Sequence, residues 1–338
     1  FEAIRVSAAE VVVTEPVAPL LPTVGGLLES ISRGFGTWEL PLALDVGQIE
    51  VAGTVRAPGW PAAAALQIRG AGPGTGREAR LEFGVQAETG EADVAKVGAS
   101  GTVIVRMRSA RRPELLAFEG EVRAAGKRWP QPVRVSLALS ANDHGTYQDY
   151  RGTCWTDERP LVAWGARMTD ATSIKPARMT GTWMLDVREG DLAPLLPGSP
   201  LSALTVRSEG AFAADEPFSG FDLEGDWHIA GTPPPRIWPQ WLNHGPARSE
   251  GRFRLRQSIE TSQFKSLSAT LEVGAARATL ANQREFEVRW PGGFSLVPAS
   301  AESLATLDLD HWPWAALPSE LAAGEALALG PKIGRAHV

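Results

Sequence analysis

The chain has 338 residues, 43% of them apolar and 21% charged, with a formal charge of −6. That is apolar content enough for a core, which excludes wholesale disorder, and it lacks the basic excess that nucleic acid requires. A lone cysteine, Cys154, excludes an intramolecular disulfide and cannot build a cysteine zinc site.

Glycine and proline together make 61 residues, 35 and 26 respectively. Their share exceeds the roughly 12% of an average protein and favours many turns over long helices. No run approaches the about 18 consecutive apolar residues of a membrane-spanning helix. The chain opens at Phe1 inside an apolar–polar alternation and closes on Lys332-Ile333-Gly334-Arg335-Ala336-His337-Val338. That heptapeptide looks like translated sequencing adapter, so residues 332–338 stand outside the fold. Without its two basic residues, 31 basic side chains face 39 acidic ones and the charge becomes −8. Both natural ends are expected to lie beyond this sequence.

From the N-terminus, Ala18-Pro-Leu-Leu-Pro22 leads into Leu27-Leu28-Glu29-Ser30-Ile31, a short amphipathic helix candidate near 17–35. From there to residue 231 period-two alternation dominates, the pattern of antiparallel strands with one apolar and one wet face. Val133, Val135, Leu137 and Leu139 are a clear example. Turn signals punctuate the runs: Ala57-Pro58-Gly59, Ala71-Gly72-Pro73-Gly74 and Asn142-Asp143-His144-Gly145. The Pro-rich stretch 232–246 reads as a loop, and a second strand block follows over 247–331. That block carries Leu267, Ala269, Leu271 and Val273, then Phe286, Val288 and Trp290, then Pro291-Gly292-Gly293. It ends in a helix candidate, Ser319 to Leu329, with Ser319 as its cap. Ala-Pro-Leu-Leu-Pro recurs at Ala193–Pro197.

A glycine followed two residues later by an apolar or aromatic residue recurs nine times, as in Gly36/Trp38, Gly181/Trp183, Gly225/Trp227 and Gly251/Phe253. Residues i and i+2 share a sheet face, so the glycine either leaves room for a large neighbour or marks a bend.

The chemistry-bearing residues form no catalytic constellation. The phosphate loop, nucleophile elbow and dinucleotide fingerprint are absent. Gly70 to Gly76 is glycine-rich but has no following Lys-Ser/Thr, and Pro73 removes a donor, so it reads as a flexible turn. His144 sits in turn composition, and His228 beside Trp227 belongs on the wet face. Asp308-Leu309-Asp310-His311 reads as a solvated turn, since a metal site needs three or four converging ligands. Cys154, on an alternating strand, reads as a small apolar side chain. No enzyme activity, cofactor or metal is expected.

Two segments, Ser208-Glu209-Gly210-Ala211-Phe212 and Ser249-Glu250-Gly251-Arg252-Phe253, together with the run Leu185 to Leu196, resemble the AsmA-like envelope proteins, in particular the TamB-type and YdbH-type members. The resemblance spans about Val6 to Leu317. It implies a mostly β, elongated, curled antiparallel sheet with a few short helices. It also implies an inner-membrane anchor, a periplasmic location in the cell envelope, possible envelope protein partners and a groove holding phospholipid or other acyl lipid. On that reading the groove residues are Trp183, Leu185, Trp227, Ile229, Phe253, Leu255, Leu271, Val288 and Trp290. The alternatives are a structural or adhesive β-sandwich surface protein and a carbohydrate-binding β protein, for which paired carboxylates beside exposed Trp rings would speak.

Overall fold

The computed structural model describes residues 2–12, 45–56, 63–88, 96–127, 133–156, 159–169, 178–193, 203–215, 220–232, 246–258, 261–289, 295–298 and 305–311. The chain divides into two units, Phe1–Gly181 and Thr182–Val338. Among the described residues the regular structure is strand, as the alternation predicts. Both helix candidates and the Pro-rich residues 233–245 lie outside them.

The first unit holds β1 (Ala3–Val12), β2 (Gln48–Arg56), β3 (Ala64–Ala71), β4 (Glu78–Glu88), β5 (Lys96–Met107), β6 (Pro113–Ala125), β7 (Val133–Asp143), β8 (Tyr147–Thr156) and β9 (Arg159–Thr169). From β2 to β9 each strand pairs antiparallel with the next. The exception is β1, which runs parallel to β2. A parallel pair needs a connection of about a dozen residues or more, and the run from 13 to 47 supplies it.

Turn chemistry fixes the hairpins. At the β7–β8 turn Gly145 adopts φ 91°, its amide donates to Asp143 Oδ1 at 2.8 Å, and the His144 amide donates to Tyr147 O at 2.9 Å. Gly70 to Gly76, expected as a flexible turn, is pinned instead: the Val46 amide donates to Pro73 O and the Gly72 amide to Gly47 O, at 3.0 and 3.1 Å.

Register sorts the side chains by face. Leu81, Val103, Phe118, Leu139, Gly152 and Trp164 oppose one another strand by strand. One residue along, Glu82, Thr102, Glu119 and Thr153 line the other face. Full burial is confined largely to the strand ends, as at Ala79, Met107, Gln148 and Met168. The middle rows are half-buried, and Val122, Leu139 and Val162 are 43%, 39% and 37% exposed.

On the polar face, Arg167 grips Asp149 with Nε at 2.8 Å and Nη2 at 3.2 Å. Its guanidinium lies 4.4 Å over the Tyr147 ring, against which His144 stacks at 4.5 Å. The Arg167 hydrogen bonds hold the Asp149 carboxyl below the ordinary aspartate range, outweighing a desolvation that would raise it. A carboxyl lowered in the folded state stabilises above its ordinary pKa, and that contribution is lost as pH falls through the folded value. Asp149→Asn is therefore expected to cost about 0.5 kcal/mol at pH 7, after solvent screening. Urea midpoints of the two proteins should converge in strong acid; a gap that persists at the lowest pH would rule the pair out as its source.

The second unit holds the rest of β10 (Arg178–Val187), then β11 (Leu204–Asp215), β12 (Gly220–Gly231), β13 (Ala247–Ser258), β14 (Thr261–Val273), β15 (Ala276–Asn282), β16 (Phe286–Arg289), β17 (Ser295–Pro298) and β18 (Ala305–Asp310). β11 to β15 pair antiparallel in sequence. β14 also pairs with β16 through Thr261–Phe264, so its far edge serves two strands. Gly274, at φ 59°, opens the two-residue turn between β14 and β15, where tight hairpins place glycine.

The polar face is charge-matched across β12 and β13. Asp222 faces Arg256, Glu224 faces Arg254, Asp226 faces Arg252, and His228 faces Glu250. Opposite charges directly across a ladder favour the pairing, and His228 sits on the wet face as expected. Lys265 reaches Asp222 at 3.0 Å across the irregularity at Arg254/Leu255.

Candidate functional site: an uncovered apolar sheet face

In the second unit an aromatic strip runs over a floor of glycines. Gly210 lies directly opposite Gly225, and Gly225 opposite Phe253. The Trp183 ring covers both glycines: a Cβ on Gly210 would meet its Cη2 at 2.5 Å, and one on Gly225 its Cζ2 at 2.8 Å. Trp227 lies over Gly251, the residue facing it on β13. Phe253 joins the two indoles, 6.2 Å from each ring centroid. The first unit repeats the device, with Trp164 over the opposing Gly152. At Gly152, Gly210, Gly225 and Gly251 the glycine thus makes room for a ring on a neighbouring strand rather than for its own i+2 residue, whereas Gly101 and Gly120 lie against backbone and, at Gly120, against Phe118 of the same strand. An indole laid on the facing glycine covers backbone that glycine leaves bare.

The residues predicted for a groove come together on this face. Trp227 faces Gly251, Ile229 faces Ser249, Ser249 faces Leu271, and Leu255 faces Phe264. Val288 faces Ser262 on the same side. Trp183 joins through its glycine contacts, and Leu185, two residues on, shares its face. Trp290 lies outside the described residues. Burial separates them: Val288 and Leu255 are sealed at 3% and 9% exposure, whereas Trp183, Leu185, Trp227, Ile229, Phe253 and Leu271 are half-buried.

Several members of the face stand outside the predicted groove list, although Phe212 and Phe286 belong to segments whose pattern the sequence already marks. They include the Phe264–Phe286 stack at 4.8 Å, Phe212 against Phe221 at 6.4 Å, and in the first unit Phe83 against Phe118 at 5.4 Å. The same alternation marks them all.

Polar groups on the face are turned inward to one another. Trp227 Nε1 donates to Ser249 Oγ at 3.2 Å, and Ser208 Oγ donates to Asp226 O at 2.7 Å. Cys154 shares the apolar face of the first unit, opposite Leu137 and Val162. Burial pushes its thiol up, away from the thiolate a nucleophile needs. Among the described residues no three His, Cys, Asp or Glu side chains gather to hold a metal. A concavity of about 540 Å³ takes in three consecutive residues from each of β12, β13, β14 and β15. Consecutive residues belong to opposite faces, so it outlines no pocket on either. The chemistry such a surface offers is apolar contact without charge. Comparison with family models, curated proteins and solved structures finds no match.

Proposed function

We propose that the apolar faces carry the acyl chains of lipid, and that the chain is a segment of an AsmA-like envelope protein of the TamB or YdbH type. Its work would be phospholipid transfer or outer-membrane assembly, on the periplasmic side of an inner membrane to which the longer protein is anchored. One observation carries the reading: the middle rows of each face are apolar yet half-exposed, with Val122, Leu139 and Val162 more than a third open. Each Å² of such surface left in water costs about 25 cal/mol, and each methylene an acyl chain lays on it recovers up to about 0.8 kcal/mol. Neither a nucleic acid nor an ionic ligand finds charge there. The carboxylates lie across the sheet from the rings of Trp183 and Trp227, an arrangement that does not favour a sugar cleft.

Native mass spectrometry after gentle purification tests it. Co-purifying phospholipid is expected, and Leu139→Asp and Phe253→Asp should each reduce the bound fraction by roughly tenfold, the effect of about 1.4 kcal/mol. Ser266→Asp, on the opposite face and facing Arg254, should leave it unchanged. A folded wild-type chain that comes out free of lipid, and takes up none from detergent-solubilised phospholipid, would overturn the proposal.

A further inference from the structure

Four of the seven residues from Arg106 to Arg112 are arginine and none is acidic, in a chain whose formal charge is −6. They close the β5–β6 hairpin, where the Arg108 amide donates to Arg112 O at 2.9 Å and the Arg112 amide donates to Ser109 O at 3.3 Å. Three acids compensate the base of that hairpin. Glu78 faces Arg106 in the ladder, Glu114 Oε2 lies 3.8 Å from Arg106 Nε, and Asp143 holds Arg108. Even so, Arg106 Nε is buried with no hydrogen-bond acceptor. The tip, residues 108–112, carries three arginines and no acid of its own, and Arg108, Arg111 and Arg112 are all exposed. We propose that this tip docks the first unit on a bilayer surface rich in anionic phospholipid, its arginines taking the headgroup phosphates.

A guanidinium meets phosphate oxygens with two parallel donors, and each arginine held within a Debye length of an anionic leaflet adds to the attraction. Arg108 is anchored by Asp143, and the hydrogen-bonded turn presents Arg111 and Arg112 from a fixed backbone, so less order is lost on contact. Nucleic acid draws on a longer basic stripe and more phosphate contacts than one tip offers. The choice of a bilayer over other polyanions rests on the acyl-chain reading. The apolar rows of the unit end at this side in Met107 and Met168, both sealed. The open row at Leu139 begins four residues in from Asp143, the end of β7, or about 14 Å along the strand. A lipid whose phosphate rests at the tip thus has the apolar face within reach of its chains.

Flotation of the full chain with vesicles of phosphatidylglycerol and phosphatidylcholine in equal parts, against phosphatidylcholine alone, tests it. Binding is expected to the anionic vesicles at low salt, to fade as salt approaches about 1 M, and to be roughly tenfold weaker on phosphatidylcholine alone. Arg111→Gln combined with Arg112→Gln should lower the partition coefficient by roughly tenfold. Arg108 is left in place because it holds Asp143. Arg56→Gln combined with Lys127→Gln makes the same change of charge at the opposite strand ends, where both side chains are exposed, and should leave the partition within about twofold of wild type. Circular dichroism checks the fold of each variant, and the salt and vesicle series on the wild type needs no variant at all. Failure to float with anionic vesicles, equal binding to both vesicle types, equal losses from the two pairs of substitutions, or tighter binding of a single-stranded RNA would each overturn the proposal. Phospholipid retained by a chain that does not float would sink this docking and keep the acyl-chain reading; flotation by a chain that retains none would do the reverse.

Discussion

Gly225→Val is expected to destabilise the second unit by about 2–3 kcal/mol and to expose Trp183 to water. Strand propensity alone points the other way, because valine favours strands and glycine weakens them. Sterics decide the sign. A Cβ at Gly225 would meet Trp183 Cζ2 at 2.8 Å, Glu209 O at 2.7 Å and Gly210 Cα at 3.3 Å. Two of those are backbone atoms in a ladder that cannot shift without breaking register, so the indole must leave. Once displaced, it loses the glycine floor and its 6.2 Å contact with Phe253. Urea unfolding followed by tryptophan emission reads both effects: a lower midpoint, and a red-shifted native spectrum. Gly84→Val is the matched control. A Cβ there meets nothing within 4 Å, so propensity is free to act and the change should be neutral or stabilising. Equal losses at the two positions would mean that the slot beneath Trp183 plays no part.

The contrast between those glycines marks where a sequence stops being informative. Alternation in Val133 to Leu139 and in Leu267 to Val273 announces strands and tells which side chains share a face, because period two is a property of one strand alone. The predicted groove residues within the described chain fall on one face for that reason. What each glycine is for depends on which residue stands opposite, and register is set by pairing between strands. Gly225 and Gly84 look alike in sequence; only the ladder puts a ring over one and open space over the other. Strand direction is hidden in the same way. Nothing local in Ala3 to Val12 distinguishes a parallel partner from an antiparallel one, and the parallel pairing of β1 with β2 departs from the antiparallel pattern for lack of such a signal. The list of groove residues also stopped short of the first unit, although Leu139 and Val162 there are more open than Leu255 or Val288. Alternation reports face, and it carries no information about what covers that face.

Arg108→Met is expected to cost about 3 kcal/mol, among the largest effects of any charged side chain described. The Asp143 carboxylate is 4% exposed, with Oδ2 3.2 Å from Arg108 Nη1, and Oδ1 accepts from the Gly145 amide. Arg108 Nη2 also donates to Asp143 O at 2.5 Å. The guanidinium, 36% exposed, therefore ties the β5–β6 turn to the β7–β8 turn while keeping part of its hydration. Methionine keeps the stem and removes the charge, stranding a buried carboxylate with one donor. Breaking a buried pair costs about 3–5 kcal/mol, and the partial exposure of Arg108 places this case at the lower end. Adding Asp143→Asn should recover about half of the loss, because a neutral amide still accepts from Gly145 and asparagine suits the turn. Equilibrium unfolding of the two single variants and the double one closes the cycle; a coupling below about 0.5 kcal/mol would reduce the pair to an ordinary surface contact. The site would feel the difference. Asp143 faces Gln148 in the ladder, and Gln148 faces Met168, all three sealed at the strand ends that border the open rows. If the acyl-chain proposal holds, a variant that loosens this border while leaving the middle rows intact should bind lipid more weakly while keeping its apolar rows.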